Sequence, residues 1–259
     1  MLVLVVDSST PAVTAALAEV TADGVAVRAE RGKVDARAHG ELLAPQIEAV
    51  LAEVGARPAD LVAIVAGLGP GPFTGLRVGL VTAASMGHAL SIPTYGVCSL
   101  DAIGWAATSG GTANSGGTAT SGGTATSGGA AAGADEGAAP GRAGGRVLAA
   151  TDARRREIYW AVYGPAGERI AGPDVAAPDA VAEQARELGA GSAVGEGAQR
   201  YADQLGLPLL AEPSYPPPYA LAVLAADRVR SGAPGEALTP LYLRRPDAVA
   251  AATRKRVLQ

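Results

Sequence analysis

The chain has 259 residues, 48% of them hydrophobic and 4% aromatic, with 35 glycines and a net charge of −4. That length can bury one large core or two small lobes, and the negative balance excludes a global basic field that would draw nucleic acid to the whole surface. No run reaches the ~18 apolar residues of a membrane span, Met1-Leu2-Val3 opens without a basic leader, and the lone Cys98 excludes an internal disulfide, so a cytoplasmic protein with no membrane partner is expected.

Residues 2–6 are a continuous apolar run, as in a strand buried on both faces. Asp7-Ser8-Ser9-Thr10-Pro11 follows as a polar turn, because Asp and Ser bond their own backbone and Pro fixes its angle. Residues 12–19 and 25–31 read as two more strands, joined at Ala22-Asp23-Gly24. A helix is expected from His39 to Val54, with Leu43, Ile47, Val50 and Val54 on one stripe and Gly55 as its stop. The run 61–66 predicts a strand that leads into the most informative stretch, Gly67-Leu68-Gly69-Pro70-Gly71-Pro72-Phe73-Thr74-Gly75-Leu76-Arg77-Val78-Gly79. Its glycines allow close backbone approach and its prolines stiffen the turn. Such a turn can aim amides at an anion or simply make a tight connection.

The helix expected from Thr74 to Leu90 is apolar on two sides, with Leu76, Leu80, Ala83 and Gly87 on one and Val78, Val81 and Ala84 on the other. Part can face the sheet, and the rest is free to meet another chain. The interface set drawn from these helices is Leu43, Ile47, Leu76, Leu80, Ala83, Ala84 and Gly87. Residues 92–97 form a short strand, and Ser99 can N-cap the helix beginning near Leu100.

From Thr108 a six-residue repeat of Thr, Ser, Gly and Ala takes over, with almost nothing to bury through Gly145. Residues 108–145 are therefore expected to be a flexible insertion between a lobe at 1–107 and a second at 146–245. The second lobe opens with a strand at 146–151, turns at Asp152-Ala153-Arg154 and continues in the alternating strand 157–163. Helices are expected at 178–188 and 219–231, a short strand with a glycine turn at 193–197, and a last strand at Leu241-Tyr242-Leu243. The tail 246–259 is basic; from residue 244 onward five cationic side chains face one aspartate.

Several catalytic kits are missing from the sequence: no phosphate loop ending in Gly-Lys-Ser/Thr, no Gly-x-Ser-x-Gly elbow and no helical histidine pair. His39 and His88 read as packed or capping residues and Cys98 as a small core residue. Asp7, Asp152 and Glu196 remain at strand ends or turns, where an acid can hold magnesium on a nucleotide or merely form the turn.

The order strand, Asp-Ser-Ser-Thr turn, two strands, helix, strand, helix, strand is that of the actin-like ATPase (ribonuclease H-like) fold, an α/β fold of two lobes of mixed sheet with flanking helices. Within it the chain resembles the TsaB (YeaZ) family of bacterial tRNA-modification factors. The resemblance rests on Val5 to Thr10, His39 to Pro45, Gly69 to Gly79, Gly96 to Ala102, Asp152-Ala153-Arg154 with Glu157-Ile158-Tyr159, and Pro240 to Arg244. Pro72 stands where the family usually has Ser, and Ser8 where it has Thr. The resemblance implies a non-catalytic scaffold in making threonylcarbamoyladenosine on tRNA. This scaffold pairs with a TsaD-type transferase subunit that carries the chemistry, is joined by a TsaE-type ATPase, and forms a homodimer in isolation, reaching tRNA only through the complex. No cofactor is required; ATP or ADP with Mg is at most a weak ligand of Asp7, Ser9, Thr10 and Asp152. Gly69, Gly71, Thr74, Gly75 and Arg77 are expected to form a structural loop. The alternative is a small-molecule kinase or ATPase of the same fold.

Overall fold

A computed structural model describes residues 1–109 and 145–244. The first sheet comprises β1 (Leu2–Asp7), β2 (Ala12–Val20), β3 (Val25–Val34), β4 (Ala63–Gly67) and β5 (Thr94–Val97), ordered β3-β2-β1-β4-β5. β1 is central, antiparallel to β2 and parallel to β4. That position explains its unbroken apolar run, since both of its faces are covered. Leu4 and Val6 point to α1 (His39–Val54) and α2 (Phe73–Leu90), whereas Val3 and Val5 point to the opposite layer, where α7 (Pro218–Arg230) lies.

The second sheet comprises β6 (Arg146–Arg154), β7 (Glu157–Tyr163), β8 (Arg169–Ala176) and β9 (Ala190–Val194), ordered β8-β7-β6-β9. Its outer face packs on α4 (Pro178–Glu187) and the short α5 (Glu196–Arg200) and α6 (Ala202–Leu205), through Leu148, Ile158, Val162, Val181 and Leu205. Its inner face packs on α3 (Ser99–Thr108). α3 joins the two lobes: Leu100, Ile103 and Ala107 enter the second core, and Ala102 enters the first with Trp105 packed against it.

Four expectations differ from the structure. β8 was not anticipated, because Gly172-Pro173 interrupts its alternation and it is an edge strand with little burial. Leu241-Tyr242-Leu243 is no strand; the Leu241 amide donates to Leu68 O outside the named strands. Ser99 does not cap α3, because its hydroxyl is used elsewhere and Cys98 holds the N-cap position. The chain also crosses back: Ala220, Leu221, Ala225 and Val229 of α7 belong to the core of the first sheet, so the stretch 146–245 does not form one lobe by itself. The insertion (but for its ends) and the tail 246–259 lie outside the described residues.

Candidate functional site

The polar turn after β1 and the glycine loop after β4 meet face to face, joined directly by Ser8 and indirectly through Ser99. Asp7 Oδ1 accepts from the Ser9 amide and the Ser9 hydroxyl, each at 2.8 Å. Asp7 Oδ2 accepts from the Ser99 hydroxyl at 2.6 Å. Ser99 Oγ in turn accepts from the Gly69 amide at 3.1 Å, and the Ser99 amide donates to Gly69 O at 2.7 Å. Ser8 donates to Gly75 O at 2.8 Å and accepts from the Gly79 amide at 2.9 Å. Thr10 Oγ1 accepts from the Ala12 amide, and the His39 ring lies with Nε2 2.9 Å from Thr10 O. His39 is a buried, packed residue.

Glycine is required where the loop touches the turn. A Cβ on Gly67 would sit 1.7 Å from Asp7 Oδ2, and one on Gly71 would sit 2.0 Å from the carbonyl oxygen of Ser9. Of the two readings of this loop, the geometry therefore answers to the tight connection: its backbone fills the space over the β1 turn. Asp7, Ser8, Ser9 and Thr10 are all buried. Thr10 and Asp152 line one cavity of about 320 Å³, but Asp7 and Ser9 are not among its lining residues. The grouping of Asp7, Ser9, Thr10 and Asp152 as one nucleotide site is thus corrected to two, a sealed Asp7 network and an open cavity beside Thr10 and Asp152. With both carboxylate oxygens spent on serines, Asp7 does not fit a magnesium–nucleotide ligand. Among the described residues no three or more His, Cys, Asp or Glu side chains group as a metal site.

Burial raises the Asp7 carboxyl above the usual range, against the lowering effect of Ser99, Ser9 and His39. A carboxyl whose folded pKa lies above its unfolded value favours the folded state most when protonated, and that advantage fades as pH rises through the folded pKa. Asp7→Asn keeps acceptor and shape without the charge, so its stability relative to wild type should improve from pH 4 to pH 7. Urea denaturation at the two pH values checks this; a difference independent of pH would show that Asp7 is not desolvated.

Asp152 sits at the other side. Its Oδ1 accepts from the Arg154 amide at 3.0 Å, its Oδ2 is 3.5 Å from Arg200, and its own amide donates to Glu196 at 2.8 Å. Burial raises Glu196, which is tied to that turn. Register pairs Arg154 with Glu157, so Arg155 and Arg156 alone close the β6–β7 hairpin. Arg154, Arg155 and Arg156 have φ of 61°, 55° and 62°. A two-residue hairpin loop with positive φ prefers Asn-Gly, and a non-glycine residue there costs about 1–2 kcal/mol. The sequence places a turn at Asp152-Ala153-Arg154; register moves the loop to Arg155-Arg156, and the positive φ values were not legible from the sequence.

The loop residues divide. Gly69, Gly71 and Gly75 make the contacts above. Arg77 lies with Cζ 3.5 Å from the Phe73 ring centroid and donates to the Tyr242 hydroxyl at 2.7 Å, while Phe73 stacks on Tyr242 at 5.2 Å. Thr74 is exposed. Sequence reasoning found neither this aromatic stack nor the role of Ser99, since the partners are separated by 169 and 92 positions.

The interface set also needs correction. Leu43, Ile47, Leu76, Leu80 and Ala83 belong to the core beneath the first sheet, and Gly87 is buried against Thr94. Only Ala84 of the seven is exposed. The surface that α2 leaves open is Phe73, Arg77, Val81, Ala84 and Ser85, with Val81 62% exposed. Cys98 is a core residue; burial, with Asp101 nearby, pushes its thiol up to about 12, far from thiolate reactivity at neutral pH.

Residues 17–126 match the family model described as TsaD, tRNA N6-adenosine threonylcarbamoyltransferase. The uncharacterized protein Rv3421c of Mycobacterium tuberculosis is 43% identical over 247 residues, covering 95% of this chain and 93% of that protein. The tRNA threonylcarbamoyladenosine biosynthesis protein TsaB of Escherichia coli is 29% identical over 129 residues, covering 49% of this chain and 42% of that one. Among solved structures, YeaZ from Pseudomonas aeruginosa superposes with a TM-score of 0.67 at 25% identity, covering 93% of this chain and 99% of the other.

Proposed function

We infer that the chain is a TsaB (YeaZ)-like protein with an actin-like fold, and from that premise we propose that it is a non-catalytic accessory subunit in forming threonylcarbamoyladenosine on tRNA. It pairs with a TsaD-type transferase subunit, which carries the chemistry; a TsaE-type ATPase joins the pair, and the isolated chain forms a homodimer. tRNA is reached through the complex, in the cytoplasm; no helix among the described residues is long and apolar enough to cross a membrane.

One observation carries the non-catalytic reading. The turn that would have to cradle phosphates has its polar groups engaged within the protein, Asp7 with Ser9 and Ser99 and Ser8 with Gly75 and Gly79, and Gly71 is seated against the Ser9 carbonyl. A phosphate placed directly on the Asp7 network would have to displace that loop, which supports the reading that ATP or ADP with Mg is not required by this subunit. The outer stripe of α2, Val81, Ala84 and Ser85, supplies the pairing surface: apolar at one position and small at two others, it lets a partner helix approach closely.

Reconstitution with the TsaD-type and TsaE-type proteins tests this. Modification of tRNA should fall at least tenfold when this chain is omitted, and the chain alone should not turn over ATP. Undiminished modification in its absence, with ATP consumed by the isolated chain, would favour the small-molecule kinase instead.

A further inference from the structure

We propose that the β6–β7 hairpin and the adjoining cavity bind an unpaired RNA strand, with the Arg154 and Arg156 guanidinium groups on its phosphates and a base against the Phe73–Tyr242 stack. The proposal deepens the accessory-subunit reading and rests on it for the choice of RNA. The cavity, about 370 Å³, is lined by Phe73, Tyr159, Tyr242, Arg154, Arg155 and Arg244. The second hollow, beside Thr10 and Asp152, shares Phe73 and Arg154 with it. Two adjoining hollows with Pro72, Phe73 and Arg154 in common suit consecutive nucleotides better than a single free one.

The charges are disposed for phosphate. Arg154, Arg155 and Arg156 are all exposed, and the Arg154 guanidinium makes no hydrogen bond or ion pair among the described residues. The nearby acids are already occupied: Glu157 is paired with Arg244, and Asp152 with Arg200 and the Arg154 amide. Local preference opposes arginine at these backbone angles, and residues held in such sparsely populated conformations cluster at functional sites. Aromatic faces beside guanidinium groups are the chemistry of single-stranded recognition: bases stack and phosphates pair with arginine. An acidic protein segment would use the arginines but not the exposed rings.

Fluorescence anisotropy of a short labelled unpaired RNA, titrated with the full chain at several salt concentrations, tests the site. The wild type should bind in a salt-dependent manner. The double substitution Arg154→Asn with Arg156→Gly places residues that tolerate positive φ at both positions, so melting should be unchanged or raised, while RNA affinity falls about tenfold and the salt slope flattens by about 0.7 for each phosphate no longer neutralised. Tyr242→Ala should weaken binding at unchanged salt slope, as loss of stacking predicts. Absence of saturable wild-type binding, unchanged affinity in the double variant, or equally tight binding of AMP or polyglutamate would overturn the proposal. Pairing with the transferase subunit is measured on the same proteins: retained pairing with lost RNA affinity supports the site. Failure of the wild type to pair would count against the accessory reading alone and leave the anisotropy result standing.

Discussion

Gly71→Ala is expected to lower the melting temperature by about 6–12 °C, the equivalent of ~3 kcal/mol in a chain of this size. The new Cβ would fall 2.0 Å from the Ser9 carbonyl oxygen and 2.8 Å from its carbon. These are backbone atoms, fixed by the Asp7 hydrogen bonds and by β1, so no flexible tip can swing aside. Overpacking of this kind costs about 1–3 kcal/mol and more where relaxation is blocked. Gly71 is not a positive-φ residue, so the loss isolates close approach from backbone strain. Gly40→Ala is the control: nothing lies within 4 Å of its Cβ, and alanine in the first turn of α1 should be neutral or slightly stabilising. A Gly71→Ala protein that melts within about 2 °C of wild type would show that the loop is not seated on the β1 turn.

Val81→Glu and Leu80→Glu, neighbours on one helix, should separate pairing from folding. Val81 is 62% exposed, and substitutions at such positions usually change stability by no more than about 0.5 kcal/mol. In a complex that covers the stripe, the new carboxylate would be buried without a partner at a cost of about 3–5 kcal/mol, weakening association by roughly two to three and a half orders of magnitude. Leu80 is 4% exposed and packs under the first sheet, so the same charge there should unfold the monomer rather than merely block association. Analytical ultracentrifugation and circular dichroism on both variants read the two effects. Val81→Glu protein that pairs normally would move the interface off α2, and a folded Leu80→Glu monomer would contradict the placement of that side chain.

The sequence made the helix bounds of α1 legible because its apolar spacing and Gly55 agree, and the Gly55 cap is left-handed with φ 71°. The same periodicity misplaced the partner-facing residues of α2. A stripe such as Leu76, Leu80 and Ala83 looks alike whether it meets a sheet or another chain, and only the position of β1 and β4 resolves it. β8 escaped notice because an edge strand needs little apolar alternation.

What the sequence determined by itself was local: strand and helix periods, the need for glycine after β4, and an Asp-Ser-Ser-Thr turn poised at a strand end. What only the tertiary structure decided was which of these elements face each other. Asp7 reads as a free acid until Ser99, 92 positions on, closes its second oxygen. The turn read at Asp152-Ala153-Arg154 shifts once strand register places Arg155 and Arg156 in a two-residue loop that favours Asn-Gly. Backbone propensity acts over a few neighbouring residues, whereas a side chain's partners are fixed by long-range packing, which no local pattern records.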